Sequence, residues 1–135
     1  IVGFPGETEE EFAITKEFLE RIHFSQMHVF KYSVRKGTKA EVMSNQVPEH
    51  VKSSRSEQVI ALEKQMRKEY EENMHNKIQT VLFEEETEIE GEKFFVGHNE
   101  RYVKFAIKSS GEDLTNQIKQ VTATGDTNEG IIICQ

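Results

Sequence analysis

Ile1-Val2-Gly3-Phe4-Pro5-Gly6-Glu7-Thr8-Glu9 is the stretch on which the reading of this chain turns. Ile1–Phe4 reads as the end of a buried strand, and Pro5-Gly6 as a turn. Thr8 and Glu11 have the S/T-x-x-E spacing of a capping box, which predicts a helix start. Glu7, Glu9 and Glu10 suit the positive end of that helix's dipole. Phe12, Thr15, Leu19 and Ile22, with Phe18 alongside, form one helical face. Nothing precedes the strand, so the sequence reads as a piece of a longer protein.

Outward from there, His23-Phe24-Ser25 ends the helix and Met27–Tyr32 reads as a second strand. Strand, helix, strand is a βαβ unit, whose strands are expected to be parallel and adjacent. Ser33–Val47 reads as a polar loop. Pro48 suits the first residue of a long helix ending near Asn73. Val59, Leu62, Met66 and Tyr70 give it an apolar stripe, and at 1.5 Å per residue it would be about 40 Å long.

From Lys77 the period changes from helical to two. Strands are expected at Lys77–Phe83, Phe94–Val96, Tyr102–Ile107, Gln117–Thr124 and Gly130–Cys134. Glu84–Glu92 reads as an acidic loop or hairpin around Glu90-Gly91. Val103, Phe105 and Ile107 would share one face of their strand, and Lys104, Ala106 and Lys108 the other. Short strands with Gly, Asn and Asp turns point to a small barrel or sandwich. The domain boundary is placed near Asn76, giving 1–76 and 77–135.

The 135 residues are 36% hydrophobic and 30% charged, as in an ordered globular protein. No apolar run approaches the ~20 residues of a membrane span, and no signal peptide is evident; a cytosolic origin is expected. The single cysteine, Cys134, forms neither an internal disulfide nor a multi-cysteine metal site by itself. The net charge of −7 disfavours a simple nucleic-acid binder, and it is uneven: 11 Lys/Arg against 13 Asp/Glu in 1–76, 6 against 11 in 77–135. RNA would therefore need a local patch, expected opposite the run Glu84–Glu90. Arg101, Tyr102 and Lys104 interleave an aromatic with cations, a set that can stack a base and hold phosphate. Arg35 could pair bidentately with a phosphate or a cofactor carboxylate. The histidines at 23, 28, 50, 75 and 98 have no metal-ligand spacing, and no nucleophile–base pair stands out.

Several segments carry a resemblance in order and spacing. They are Ile1–Thr8, then His28-Val29-Phe30-Lys31-Tyr32-Ser33-Val34-Arg35-Lys36-Gly37-Thr38, then the long helix with Arg55, then the five-strand tail. Together they resemble the radical S-adenosylmethionine methylthiotransferases over the whole chain. The His-Val-Phe start is most similar to the subgroup acting on threonylcarbamoyladenosine in tRNA. The sister groups acting on isopentenyl-adenosine or on a ribosomal protein are less similar.

The resemblance implies a fold in two parts. The first is α/β, a βαβα remnant of a partial TIM-like barrel. The second is all-β, a five-stranded OB-like barrel of the RNA-binding TRAM type. It implies that Ile1, Gly3 and Phe30 flank an adenosyl group, with Gly3 letting ligand approach the backbone and Ile1 packing on the adenine. Arg35, Arg101, Tyr102 and Lys104 become the RNA-binding candidates, although Gly97-His98-Asn99-Glu100-Arg101-Tyr102 departs from the family's Gly-Tyr-Thr-x-Asn-Tyr.

The longer protein would use S-adenosylmethionine and [4Fe–4S] clusters to add a methylthio group to C2 of an adenosine beside the tRNA anticodon. Its partner would be the anticodon stem-loop, with no membrane. The Cys-x3-Cys-x2-Cys cluster motif is not among these residues, so the chain alone is expected to be inactive, to have no catalytic or metal residue and to bind no cofactor. Its exposed barrel edges could support a non-physiological dimer. The rival readings are a non-catalytic nucleic-acid-binding module and a protein-interaction module.

Overall fold

The computed structural model describes residues 1–127 and 130–135. They form two α-helices and a five-stranded mixed sheet. The chain divides into two compact units, Ile1–Tyr70 and Glu71–Gln135, the division falling just upstream of the change of period at Lys77.

In the first unit, α1 (Glu9–Ile22) starts from a complete capping box. Thr8 Oγ1 accepts from the Glu11 N–H at 3.1 Å, and Glu11 Oε2 accepts from the Thr8 N–H at 2.9 Å. The helix ends at His23, whose left-handed backbone (φ 58) lets its N–H reach the Leu19 carbonyl. Phe12 packs with Val2 and Val59, and Leu19, Met27 and Val29 cover this small core. The expected strand Met27–Tyr32 is reduced to one parallel bridge, Val2 with Lys31. The Val2 N–H donates to the Phe30 carbonyl at 2.9 Å and the Tyr32 N–H to the Val2 carbonyl at 2.8 Å. The pairing stops there because Gly3 (φ 74) turns the chain away after two residues.

After a 3-10 turn at Lys39–Val42, α2 (Glu49–Glu72) begins directly behind Pro48. Its buried face is Lys52, Arg55, Ser56, Val59 and Met66, at steps of three, four and seven. Two of those residues are cations, so this face is held by polar contacts as well as by packing.

In the second unit, β1 (Ile78–Ile89), β2 (Glu92–Asn99), β3 (Lys104–Lys108), β4 (Gln117–Asp126) and β5 (Ile132–Cys134) pair cyclically in the order β1-β2-β3-β5-β4. All pairs are antiparallel except β3 with β5. Val81, Phe83, Val96, Phe105 and Ile132 fill the interior. Ala106 is also fully buried, in a cluster with Ile89, Phe94 and Val96. It therefore does not share an exposed face with Lys104 and Lys108.

Of the loop or hairpin expected at Glu84–Glu92, the structure shows the hairpin: β1 runs on to a two-residue turn at Glu90-Gly91, both at positive φ. The strand tolerates its carboxylates because facing groups satisfy them. Glu86 accepts from Lys93 Nζ at 3.2 Å and from Ser109 Oγ at 2.7 Å, which holds its carboxyl below the usual range. A bulge interrupts the register: Phe83 faces Gly97 and Glu85 faces Val96, leaving Glu84 as the extra residue.

Candidate nucleic-acid interface

The second unit presents a row of side chains across four strands. Ile118 pairs with Leu82, Leu82 with His98, and His98 with Lys104. Directly opposed residues point to the same side of a sheet. Leu82 and Ile118 are exposed, the latter 68%. Tyr102 lies over His98 with ring centroids 4.5 Å apart and planes 10° apart, and is itself 75% exposed. Ile118, Leu82 and the stacked rings of His98 and Tyr102 line one open groove together with Glu84 and Glu100.

Tyr102 is not on a strand, as its alternation with Lys104 suggested. It occupies a turn before β3, in the left-handed region (φ 63). Asn99, nearly buried, builds that turn. Its Oδ1 accepts from the N–H groups of Arg101 and Val103, both at 3.0 Å, and its Nδ2 donates to Gln79 Oε1 at 3.1 Å. The bulge at Glu84 has its own consequence. The re-aimed carboxylate reaches His98 Nδ1 at 2.6 Å and fixes the ring on which Tyr102 stacks. The nucleic-acid face was expected opposite the run Glu84–Glu90, yet Glu84 lines the same groove as Tyr102. Sequence reasoning passed over Asn99, Glu84, His98, Leu82 and Ile118. The one available signal was Asn99-Glu100-Arg101, an Asx-turn sequence before a strand.

Arg101 and Lys104 are exposed on either side of Tyr102. Arg35 is exposed in the first unit, where its carbonyl accepts from Thr38 N–H at 3.2 Å and Thr38 Oγ1 at 2.8 Å around Gly37 (φ 81). The structure thus brings Arg101, Tyr102 and Lys104 together in one unit and places Arg35 in the other.

The cofactor candidates lie at the parallel bridge. Ile1 is 82% exposed and Phe30 62%, on the two chains that the bridge joins. Gly3 between them is buried. Its N–H donates to Glu7 Oε2, and a Cβ there would collide with the stem of Lys52. Glu7 Oε2 also accepts from Arg55 Nη1 at 3.0 Å, Arg55 Nη2 reaches Glu9 at 3.1 Å, and the guanidinium sits 5.2 Å from the centroid of Phe12. Ile1 and Phe30 are thus exposed apolar side chains on the two bridged segments, while Gly3 sets the turn that follows.

Cys134 Sγ is buried against the Ala106 carbonyl at 3.4 Å, and burial pushes its thiol up to about 12, away from the thiolate a cluster binds. Among the described residues no three His, Cys, Asp or Glu side chains are grouped to hold a metal. No helix among them is long and apolar enough to cross a membrane.

No protein-family model matches the chain. It is 45% identical over 122 residues, 90% of its length, to the threonylcarbamoyladenosine tRNA methylthiotransferase MtaB of Bacillus subtilis. It is 38% identical over 125 residues, 93% of its length, to the tRNA-2-methylthio-N(6)-dimethylallyladenosine synthase of Pelotomaculum thermopropionicum. With the ribosomal protein uS12 methylthiotransferase RimO of Clostridium novyi it shares 38% identity over 103 residues, 76% of its length. The chain spans 27%, 28% and 22% of those three proteins, respectively. Matched without a change of partner through both units, the chain belongs to the methylthiotransferase family, as a stretch of about a quarter of such a protein.

Proposed function

We propose that the chain is the part of a tRNA methylthiotransferase that docks the RNA and completes one wall of the S-adenosylmethionine pocket. The longer protein would add a methylthio group to C2 of an N6-threonylcarbamoyladenosine beside the anticodon. One observation carries this reading: the 45% match to the relative named for that nucleoside runs through 122 residues, covering both units. In this reading 1–76 is the end of a TIM-like barrel and 77–135 a TRAM-type, OB-like barrel. Ile1 and Phe30 pack against the adenosyl group, which supplies the radical chemistry when bound together with clusters held outside this stretch. Arg101, Tyr102 and Lys104 hold the anticodon stem-loop, and Arg35 adds a contact from the first unit.

The test is a chimera. The matching stretch of the Bacillus subtilis enzyme is replaced by this chain in a strain lacking that enzyme, and digested tRNA is analysed by mass spectrometry. The expected result is restored 2-methylthio-threonylcarbamoyladenosine. A chimera that accumulates in folded form, binds its clusters and leaves the nucleoside without the methylthio group would overturn the reading. An isolated chain that binds RNA alongside such a chimera would favour a plain binding module.

A further inference from the structure

The groove beside Tyr102 has a chemistry that neither the stacked rings nor the cations explain. We infer that it receives a single unpaired RNA base and selects one bearing an exocyclic amino group, as on adenine, cytosine or guanine, over uracil. The inference rests on the RNA-docking reading above and goes further, from a surface to a base preference.

The groove has three kinds of wall. Tyr102 stacked on His98 makes a two-ring platform at one side. Leu82 and Ile118, cross-strand partners, make an apolar floor. Two carboxylates, Glu84 and Glu100, are the third. A phosphate would be repelled by them. A base is neutral, has a flat face for the platform and the floor, and carries its polar atoms on its edge. Edges differ in sign: an amino group donates, a carbonyl accepts. A carboxylate only accepts hydrogen bonds, so it rewards the amino-bearing edge, whereas the lone imino N–H of uracil or hypoxanthine lies beside a carbonyl that would face the negative charge.

Glu84 is suited to this task by the backbone. The bulge opposite Gly97 turns its side chain to the groove, and His98 holds Oε2 at 2.6 Å. Among the described residues His98 takes only Oε2, which leaves Oε1 of the same carboxylate to the groove. Gly97 permits the arrangement, since a Cβ there would run into the backbone of Leu82 and Phe83. The exposed Lys104 is the cross-strand partner of His98, and the exposed Arg101 directly precedes Tyr102, which sets two cations next to the platform for the phosphates of a bound strand. Charge therefore complements a nucleotide in two senses at once, cations for the backbone and a carboxylate for the base edge. A cationic peptide would satisfy Glu84 and Glu100 but would be repelled by Arg101 and Lys104, and so RNA is the better fit.

The experiment uses the whole chain and fluorescent single-stranded RNAs about eight nucleotides long, read by anisotropy at low salt. The probes are oligoadenylate, oligouridylate, oligoinosinate and a purine-riboside oligomer lacking the amino group. Adenylate should bind roughly tenfold tighter than the other three. Glu84→Leu should bring adenylate down to the level of the other three, with any loss through the freed His98 ring shared by all four, whereas Tyr102→Ala should weaken all four probes alike and keep their ranking. Circular dichroism confirms that each variant is folded. A second carboxylate variant, Glu100→Leu, separates the two carboxylates. Equal binding of amino-bearing and amino-lacking probes, with Tyr102→Ala still weakening them, overturns the base preference and leaves the RNA-docking reading standing. Binding indifferent to Tyr102→Ala overturns both. Binding of a Lys/Leu-rich peptide in the groove while no RNA binds overturns both in favour of a protein partner.

Discussion

The two units bury their apolar residues to different degrees. In the second, the strands pair in a ring, and Val81, Phe83, Phe105 and Ile132 are inaccessible to solvent. In the first, Val2, Phe12 and Val59 gather round a single parallel bridge. Ile14, Phe18 and Ile22 recur four apart along α1 and remain exposed, as do Phe4 and Phe24. A closed sheet uses up its own edges and inner face. A βα segment has two faces and few strands, so part of its apolar surface stays uncovered within the unit. The first unit compensates with charge: the buried Arg55 ties Glu7 and Glu9 at the start of α1 to the second turn of α2. Removing a partner from such a network costs far more than the net worth of the pair.

This contrast is broken most forcefully at Phe105. Phe105→Ala should cost about 3–5 kcal/mol by the usual price of a large core cavity. Native-state hydrogen exchange should show lost protection across β2 and β3 while α1 keeps its own. Equal loss in α1 would mean that the units unfold together and that the contrast has no thermodynamic meaning.

Arg55→Ala comes next, at about 3 kcal/mol, since it strands the Glu7 carboxylate. Urea denaturation followed by exchange in α1 checks it, with Arg55→Met as the volume-matched control. A cost within about 0.5 kcal/mol would show that packing, not charge, holds the first unit.

Asn99→Ala should cost about 1–3 kcal/mol by leaving two buried turn amides without an acceptor. It should also weaken RNA binding by releasing Tyr102. Asn99→Asp keeps the acceptor and should be milder on both counts. The informative failure is an unchanged affinity in a measurably destabilised Asn99→Ala chain, which would detach the turn from the platform.

The smallest effect concerns Cys134. Its thiol rises from 9.0 to about 12 on burial, so the folded chain should resist iodoacetamide at pH 8 and react only after unfolding. The sign follows from the raised value. The neutral thiol favours the folded state fully below pH 9 and loses that advantage as pH climbs towards about 12. Cys134→Ala should flatten this part of the stability profile. Fast labelling of the folded chain would mean that β5 opens on its own.

What the sequence revealed follows local chemistry. Thr8 with Glu11, and Pro48, announce helix starts because a cap is made within one turn. The strands around Val81, Val96, Phe105 and Val121 show through their period of two. Glu84–Glu92 reads as loop or hairpin alike because a run of carboxylates suits both, and what holds Glu86 in the strand, Lys93 and Ser109, comes from other elements. Met27–Tyr32 has strand composition, but a ladder needs a neighbour of equal length, and the Val2 chain turns away at Gly3. At the candidate interface, Arg101, Tyr102 and Lys104 were legible from residue type. The groove was not, because Ile118, Leu82 and His98 meet only through register across three strands. A bulge such as that at Glu84 shifts this register by one residue and leaves no reliable mark in the pattern.

The place of β5 also bears on how the protein is made. Three residues, Ile132–Cys134, lie between β3 and β4 in the sheet and pair with both. Until they are synthesised, the earlier strands can form at most an open sheet, β3-β2-β1-β4, with two bare edges. A ribosome adds roughly 5–20 residues per second, so the chain carries those edges for about 0.4–1.6 s between the end of β4 and the end of β5. Vectorial synthesis therefore makes the latest and shortest strand the latch, and leaves the half-made sheet exposed to chaperones and to neighbouring nascent chains until it arrives.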